Sequence, residues 1–134
     1  MSLDKALTAA QTTVPECLAV GYVDMSTGML LGVRTVDSHP SEVLDLVAAA
    51  TADLFQGTNV TAIEQLFKKA RGTSADNRHY FKEILVFSEN LLHVFMRGKK
   101  NADHAVVIVC RASANVGMVL TKSRLALPPL EAAL

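Results

Sequence analysis

The chain has 134 residues, half of them hydrophobic, with 13 basic and 13 acidic side chains. This length is typical of one domain with a real core, and the composition argues against disorder. The zero net charge argues against bulk attraction to nucleic acid or an anionic membrane. Residues 1–66 nevertheless carry a net charge of −6 and residues 67–134 one of +6. Solvated surface explains this asymmetry most simply, and a partner-binding potential is the alternative.

The two cysteines, Cys17 and Cys110, lie in apolar segments and form neither a disulfide framework nor a metal-site spacing. We expect reduced core thiols, with a disulfide between neighbouring strands as the minority alternative. The N-terminus lacks the basic start and apolar stretch of a signal peptide. No apolar run reaches the roughly 18 residues that a membrane span requires. The sequence therefore predicts a cytoplasmic protein without membrane insertion.

The first elements are a short helix and a β-hairpin. Asp4–Thr13 is amphipathic, and Pro15 prevents its continuation. The segments Leu18–Asp24 and Met29–Val36 have strand character, and the residues between them favour a turn that ends at Gly28.

Two helices are predicted next. The first has Ser38 as its cap and Pro40 in its first turn, runs to about Phe55, and is apolar over more than half of its circumference. Such a helix usually contacts two partners, one of which could be another subunit. The second, Val60–Arg71, begins with a capping-box pattern, Thr61 to Glu64, and its apolar residues recur at helical spacing: Ile63, Leu66, Phe67 and Ala70.

The remaining chain predicts three strands and a final helix. A polar loop, Gly72–His79, precedes a hairpin formed by Glu83–Phe87 and Leu91–Arg97. The next segment, His104–Cys110, is a short, uncharged run of β-branched residues, typical of a strand buried on both faces. Ser113 or Asn115 caps the last helix, which we expect Pro128 and Pro129 to end, leaving a small apolar tail.

The order is therefore helix, strand, strand, helix, short helix, strand, strand, strand, helix. Hairpin connections require antiparallel pairing. The predicted fold is an α+β domain spanning residues 1–134, with a single five-stranded antiparallel sheet and helices on both faces.

This order resembles the Roadblock-type dynein light chain family, whose bacterial members include regulators of small Ras-like GTPases and whose fold is a profilin-like α/β sandwich. The opening hairpin followed by Val43–Phe55 carries part of the resemblance. The three-strand run Glu83–Arg111 and the junction Asn115–Leu120 carry the rest. The resemblance covers roughly Leu18 to Ala126.

The resemblance implies a non-enzymatic homodimer in which Glu83–Phe87 pairs with its symmetry mate beside Val43–Phe55. The pattern of residues agrees, because this edge strand has only Glu83 as a charged guard against pairing. The alternative is a monomer in which the helix at 60–71 folds over the edge. The predicted dimer interface comprises Val43, Leu46, Val47, Ala50, Leu54, Glu83, Ile84, Leu85, Val86 and Phe87.

No enzyme motif is present in the sequence. The segment Gly98–Lys100 lacks the spacing and hydroxyl of a phosphate-binding loop, and there is no Gly-x-Ser-x-Gly nucleophile elbow. The four histidines, His39, His79, His93 and His104, do not form a metal-ligand grouping. We therefore expect no catalysis, no metal and no cofactor.

Basic residues cluster near the short helix and the second hairpin. Four of them are candidates for binding an acidic protein surface: Lys68, Lys69, Arg71 and Arg78. Three more, Arg97, Lys99 and Lys100, cap the hairpin. Solvated loops are the simplest interpretation. Nucleic acid is disfavoured because the few aromatic residues are needed for the core.

The sequence thus predicts a cytoplasmic homodimeric scaffold or regulatory domain that binds a protein partner. The resemblance implies that this partner is a small Ras-like GTPase. The alternative is a small-ligand sensory domain of the profilin, PAS or GAF type, in which Gly21 and Gly32 open a pocket between sheet and helix.

Overall fold

The computed structural model describes residues 2–36, 41–71 and 81–134, with the backbone alone described for 41–46. The elements are, in chain order, α1 (Leu3–Thr13), β1 (Cys17–Asp24), β2 (Met29–Thr35), α2 (Ser41–Gln56), α3 (Thr58–Ala70), β3 (Glu83–Phe87), β4 (Leu91–Arg97), β5 (His104–Arg111) and α4 (Val116–Ala132). The predicted cap of α2 at Ser38 and the predicted loop at 72–79 lie outside the described residues.

The five strands form one antiparallel sheet in the order β2-β1-β5-β4-β3. Strand β5 lies at the centre, between β1 and β4, and its residues Val106 and Ile108 are fully buried. The predictions of an α+β fold and of a central strand covered on both faces are confirmed. The two edges of the sheet are β2 and β3.

Local side-chain chemistry closes the first hairpin as expected. The Asp24 carboxylate accepts hydrogen bonds from the backbone N–H of Ser26 (3.0 Å) and from its hydroxyl (2.6 Å). Gly28 has a φ of +73°, which a residue with a side chain rarely adopts. The β1–β2 register shifts between Tyr22 and Val23, which marks a β-bulge.

Helices cover both faces of the sheet. The first face packs against α1 and α4, and we call its core the α1/α4 core; its fully or nearly fully buried side chains include Leu7, Tyr22, Leu92, Val94, Met96, Ile108, Val119, Leu127 and Leu130. The opposite face packs against α2, and its core, the α2 core, contains Val23, Met25, Ala48, Phe55, Phe95, Ala105 and Val107.

Gly32 allows α1 to lie close to β2. A Cβ atom at this position would come within 2.8 Å of Leu3 Cδ2 and 3.0 Å of Leu7 Cδ1. The space over Gly32 is therefore filled by leucines of α1. This glycine does not open the pocket that the sensory-domain alternative required.

The end of the last helix differs from the prediction. Helix α4 continues through Pro128 and Pro129 to Ala132. Both prolines are exposed, whereas Leu127 and Leu130 are 3% and 0% exposed in the α1/α4 core. The proline ring removes a backbone hydrogen bond, but the burial of these two leucines keeps the last turn helical.

The start of α3 also differs. The helix begins at Thr58 with Gly57 as its N-cap, and no side chain caps it. Thr61 lies inside the first turns and its hydroxyl donates to the backbone oxygen of Gln56 (3.4 Å), while Glu64 is buried. The predicted capping box is therefore wrong, because the N-cap is Gly57, four residues before Thr61.

Candidate interaction surface

Strand β3 forms a bare edge of the sheet. Among the described strands it pairs with β4 alone, and its last two side chains, Val86 and Phe87, are 40% and 59% exposed. Ile84 and Leu85 are half-buried against opposite faces of the sheet. From Ile84 to Phe87 the strand has none of the charges, prolines or bulges that protect the edges of monomeric proteins.

Along this edge the backbone of β3 has groups that pair with no other described strand. The Ser88 N–H donates to the Leu91 oxygen (2.9 Å), which fixes the alternation of hydrogen bonds between β3 and β4. In that alternation the N–H and C=O groups of Leu85 and Phe87 point away from β4. The edge is therefore suited to pairing with another strand.

Glu83, the charged residue expected to protect this edge from pairing, forms an ion pair with Arg124. Its carboxylate accepts two hydrogen bonds from the Arg124 guanidinium, at 2.9 Å from Nε and 2.8 Å from Nη2. These bonds lower the pKa of Glu83 from its usual value. Because Arg124 belongs to α4, the Glu83 charge lies on the α1/α4 face and does not project along the strand edge.

Helix α2 has a buried side and an exposed apolar side. Ala48, Thr51 and Phe55 are completely buried against the sheet. On the other side Val47 is 38% exposed, Ala50 is exposed and Leu54 is half-buried. The predicted interface residues Val43 and Leu46 belong to the same helix, and their side chains lie outside the described residues.

A groove of about 790 Å³ separates α2 from the β3 edge. Leu54 and Val60 line its helical wall, and Val86, His93 and Phe95 form its floor. The groove is largely apolar and open to solvent. It brings together two parts of the predicted interface, the exposed side of α2 and the end of β3.

A buried arginine connects the chain segments around this groove. The Arg97 side chain is 5% exposed, and its guanidinium donates to four oxygens at 2.9–3.1 Å: those of the Phe55, Phe81 and Ala102 backbone and of the Gln56 side chain. The guanidinium carbon also lies 5.0 Å from the centroid of the Phe55 ring. Arg97 therefore ties the end of α2 to the start of β3 and to the β4–β5 loop.

Sequence reasoning missed this role. It placed Arg97 with Lys99 and Lys100 at the surface of the hairpin, whereas Arg97 is buried and the two lysines are exposed. Burial lowers the pKa of Arg97, and the negative charges of Glu64 and Asp103 oppose that shift. A basic residue at the end of an apolar strand was the available signal, but such residues are common at surface turns too.

Helix α3 presents apolar side chains outward. Ile63, Leu66 and Phe67 are 41%, 66% and 49% exposed, whereas Glu64 and Lys68 are 2% and 4% exposed. The helical spacing of the three apolar residues was recognised in the sequence, but periodicity does not show which side of a helix faces the protein. Large exposed apolar surfaces of this kind mark interaction sites.

The structure divides the predicted partner-binding cluster. Lys69 and Arg71 are exposed at the end of α3, and Lys68 is turned inward, one helical turn after Glu64. Arg78 lies outside the described residues. Of the described residues, Lys69 and Arg71 therefore form the basic surface next to the apolar residues of α3.

The described histidines have separate surroundings. His93 Nε2 lies 3.2 Å from the Ser88 hydroxyl, and burial lowers the His93 pKa. His104 Nδ1 lies 3.1 Å from the Tyr22 hydroxyl. Within residues 2–36, 41–71 and 81–134, no three His, Cys, Asp or Glu side chains are grouped as metal ligands. Over the same ranges, none of the helices has the length and hydropathy for crossing a bilayer.

Solved structures identify the fold. MglB of Thermus thermophilus, a gliding protein, matches with a TM-score of 0.70 and 18% identity over 98% of this chain and 87% of the other. A Roadblock/LC7 domain from Streptomyces avermitilis matches with a TM-score of 0.69 and 11% identity, over 98% and 97% of the two chains. The chain has the Roadblock/LC7 fold.

MglC of Myxococcus xanthus shares the Roadblock/LC7 fold of this chain along its whole length, with a TM-score of 0.60, 19% identity and 100% coverage of both chains. No protein-family model matches the sequence, and no curated protein matches it significantly. The fold that the residue order suggested is thus confirmed by structural likeness rather than by sequence similarity.

Proposed function

We propose that this protein is a non-enzymatic homodimeric regulator that binds a protein partner. The observation that carries the proposal is the bare edge of β3 beside the apolar groove and the exposed side of α2. An unpaired strand edge and an unfilled apolar groove are both unfavourable for an isolated domain. Their adjacency allows one interface to cover both.

The second copy lies across β3 in this proposal. A twofold axis perpendicular to the sheet runs the two β3 strands antiparallel, so that each uses the outward groups of Leu85 and Phe87. The same axis brings the exposed side of each α2, with Val47 and Ala50, toward the other copy. The contact between the two copies is thus isologous, and it includes the predicted interface residues of α2 and those of β3 other than Glu83.

Self-association has support from a structural neighbour. A second MglB structure, described as having a tetrameric arrangement, matches 98% of this chain and 90% of the other, with a TM-score of 0.67 and 20% identity. For this chain we propose self-association through residues of α2 and β3.

The partner surface in this proposal is the outer side of α3. Ile63, Leu66 and Phe67 form an exposed apolar patch, and the basic Lys69 and Arg71 flank it at the end of the helix. Such a surface fits a protein with an apolar patch and an acidic rim. The resemblance to Roadblock proteins makes a small Ras-like GTPase the partner class to test.

Light scattering at micromolar concentration tests the dimer. The expected mass is twice the 14.4 kDa of the chain. Val86→Lys puts a charge into the interface and should halve the mass, whereas Leu125→Lys, at a 65% exposed position on α4, should leave it unchanged. A wild-type mass of one chain that does not vary with concentration would contradict the proposal.

A binding titration tests the partner class. A purified small Ras-like GTPase from the same organism, loaded with GDP or with a non-hydrolysable GTP analogue, is titrated with the wild type and with the double variant Leu66→Ser, Phe67→Ser. We expect affinity to fall at least about tenfold in the double variant, because exposed aromatic and aliphatic anchors dominate such contacts. Equal binding by both proteins would place the partner elsewhere on the surface.

The groove also supports a second candidate function, a small-ligand sensor. Its volume of about 790 Å³ lies within the range of ligand pockets. Native mass spectrometry of the freshly purified protein separates the two functions. A bound small molecule that competes with dimer formation would favour the sensor, and a ligand-free dimer would favour the regulator.

A further inference from the structure

Two cysteines that are 93 positions apart in the sequence meet between the neighbouring strands β1 and β5, at one end of their pairing. Cys17 at the start of β1 pairs with Cys110 near the end of β5, next to a β-bulge that shifts the register between Cys17 and Ala19. Residues directly opposite in an antiparallel pair project their side chains to the same face. Here this is the face of the α1/α4 core, to which Cys110 belongs and against which Cys17 packs.

The backbone geometry at this pair suits a disulfide. The Arg111 N–H donates to the Glu16 oxygen (3.1 Å), so Cys17 and Cys110 occupy a position where the facing residues exchange no backbone hydrogen bonds. In a regular ladder the Cα atoms at such positions lie about 4.5 Å apart and the side chains are closest. Disulfides span Cα separations of about 4.4–6.8 Å, and this range leaves room for the displacement that the neighbouring β-bulge introduces.

The two thiols differ in exposure and acidity. Cys110 is fully buried, whereas Cys17 is partly exposed. The hydrogen bond from the Cys110 thiol lowers the pKa of Cys17, and burial opposes this shift. The same hydrogen bond, together with burial and the nearby Glu16 carboxylate, raises the pKa of Cys110. Cys17 is therefore the accessible nucleophile, and Cys110 is the protected second thiol.

We propose that Cys17 and Cys110 form a reversible dithiol site that is oxidised by small-molecule disulfides of the glutathione type. The Cys17 thiolate attacks one sulfur of glutathione disulfide, which forms a mixed disulfide and releases one glutathione. The Cys110 thiol then loses its proton to the second leaving glutathione and attacks Cys17 Sγ. One disulfide is reduced to two thiols, while the protein dithiol loses two electrons and two protons.

The site is independent of the proposed dimer interface. Strand β1 is separated from β3 by β5 and β4. Oxidation closes the loop between β1 and β5, which restricts the unfolded chain and raises the midpoint of thermal unfolding.

Mass spectrometry of the protein incubated with glutathione disulfide tests the site. We expect the wild type to lose about 2 Da, and digestion to give a linked peptide pair containing Cys17 and Cys110. Cys110→Ala should stop at the mixed disulfide and gain about 305 Da on Cys17. Cys17→Ala should remain unmodified, because the remaining thiol is buried. Dithiothreitol should reverse the wild-type change.

Two results would overturn the proposal. One is a folded wild type whose two thiols stay free under conditions that oxidise the urea-unfolded protein. The other is a wild type that accumulates the glutathione adduct on Cys17 without closing the disulfide. Both are read on the wild-type protein, so the proposal remains testable if a variant folds poorly.

Discussion

The two faces of the sheet differ in how completely the chain covers them. The α1/α4 core is sealed by two helices, and Leu7, Ile108 and Leu130 are all 0% exposed in it. On the opposite face the α2 core is smaller, and beside it lie the open groove and the exposed Val86. Among the described residues, the first face is covered by its helices, whereas the second leaves apolar surface exposed.

This difference separates residues that serve folding from residues available for association. Burial in the α1/α4 core removes apolar area from water at about 25 cal/mol per Å² without any partner. The exposed side chains around the groove gain the same energy only when another surface covers them. We therefore expect the binding surface to lie on the face whose apolar side chains remain exposed in the monomer.

Removing the arginine that frames the open face should have the largest effect. Arg97→Ala removes the donor of four hydrogen bonds and a positive charge close to the buried Glu64. We expect the free energy of unfolding to fall by about 3–5 kcal/mol in urea denaturation followed by circular dichroism. Lys99→Ala, two residues away and exposed, should change it by no more than about 0.5 kcal/mol. Equal effects of the two changes would contradict the structural role of Arg97.

On the face of the α1/α4 core, a buried and an exposed leucine of α4 can be compared directly. Leu130→Ala should cost about 2–5 kcal/mol, because the side chain is completely buried after the two prolines of α4. Leu125→Ala, at a 65% exposed position, should cost about 0.5 kcal/mol or less. If Pro128 and Pro129 ended the helix, the two variants would unfold at similar urea concentrations.

The same helix shows where sequence reasoning worked and where it did not. Strand-like apolar segments identified all five strands, and side-chain chemistry identified the turn after Asp24 and offered Asn115 as one of two caps, because these signals are local. The prolines of α4 were misjudged because a local rule was overruled by the burial of Leu130.

Other features could not be predicted because they depend on tertiary packing. The spacing of Ile63 and Phe67 identified a helical face, but its outward orientation follows from how α3 packs, which no local pattern encodes. Arg97 is buried because four acceptors from distant segments meet there. The pairing of Cys17 with Cys110 required the register of β1 and β5.

The start of α4 provides a smaller test of the closed face. The Asn115 side chain accepts a hydrogen bond from the Met118 N–H (3.0 Å), while the Ser113 hydroxyl donates to the Glu16 carboxylate. Asn115→Ala should therefore cost about 1 kcal/mol of unfolding free energy. Ser113→Ala should have less effect, and the reverse order in urea unfolding would assign the cap to Ser113.

The smallest effect on stability is expected from the ion pair between Glu83 of β3 and Arg124 of α4. The hydrogen bonds from Arg124 lower the pKa of Glu83 in the folded state, so this pair stabilises the protein above the unfolded pKa of about 4.3. That contribution is lost as the pH falls through the lower folded pKa. Glu83→Gln should flatten the pH dependence of thermal unfolding in this acidic range and leave it unchanged near neutrality. An unchanged acidic profile would show that the pair contributes nothing.

Amide hydrogen exchange at the two sheet edges tests the central claim most directly. The outward N–H groups of Leu85 and Phe87 in β3 are compared by NMR with those of Val33 and Thr35, which point outward from β2 by the same alternation of hydrogen bonds. Dimer formation across β3 predicts that exchange at Leu85 and Phe87 slows at least about tenfold as the protein concentration rises, while Val33 and Thr35 stay fast. Fast, concentration-independent exchange at both edges would contradict the account.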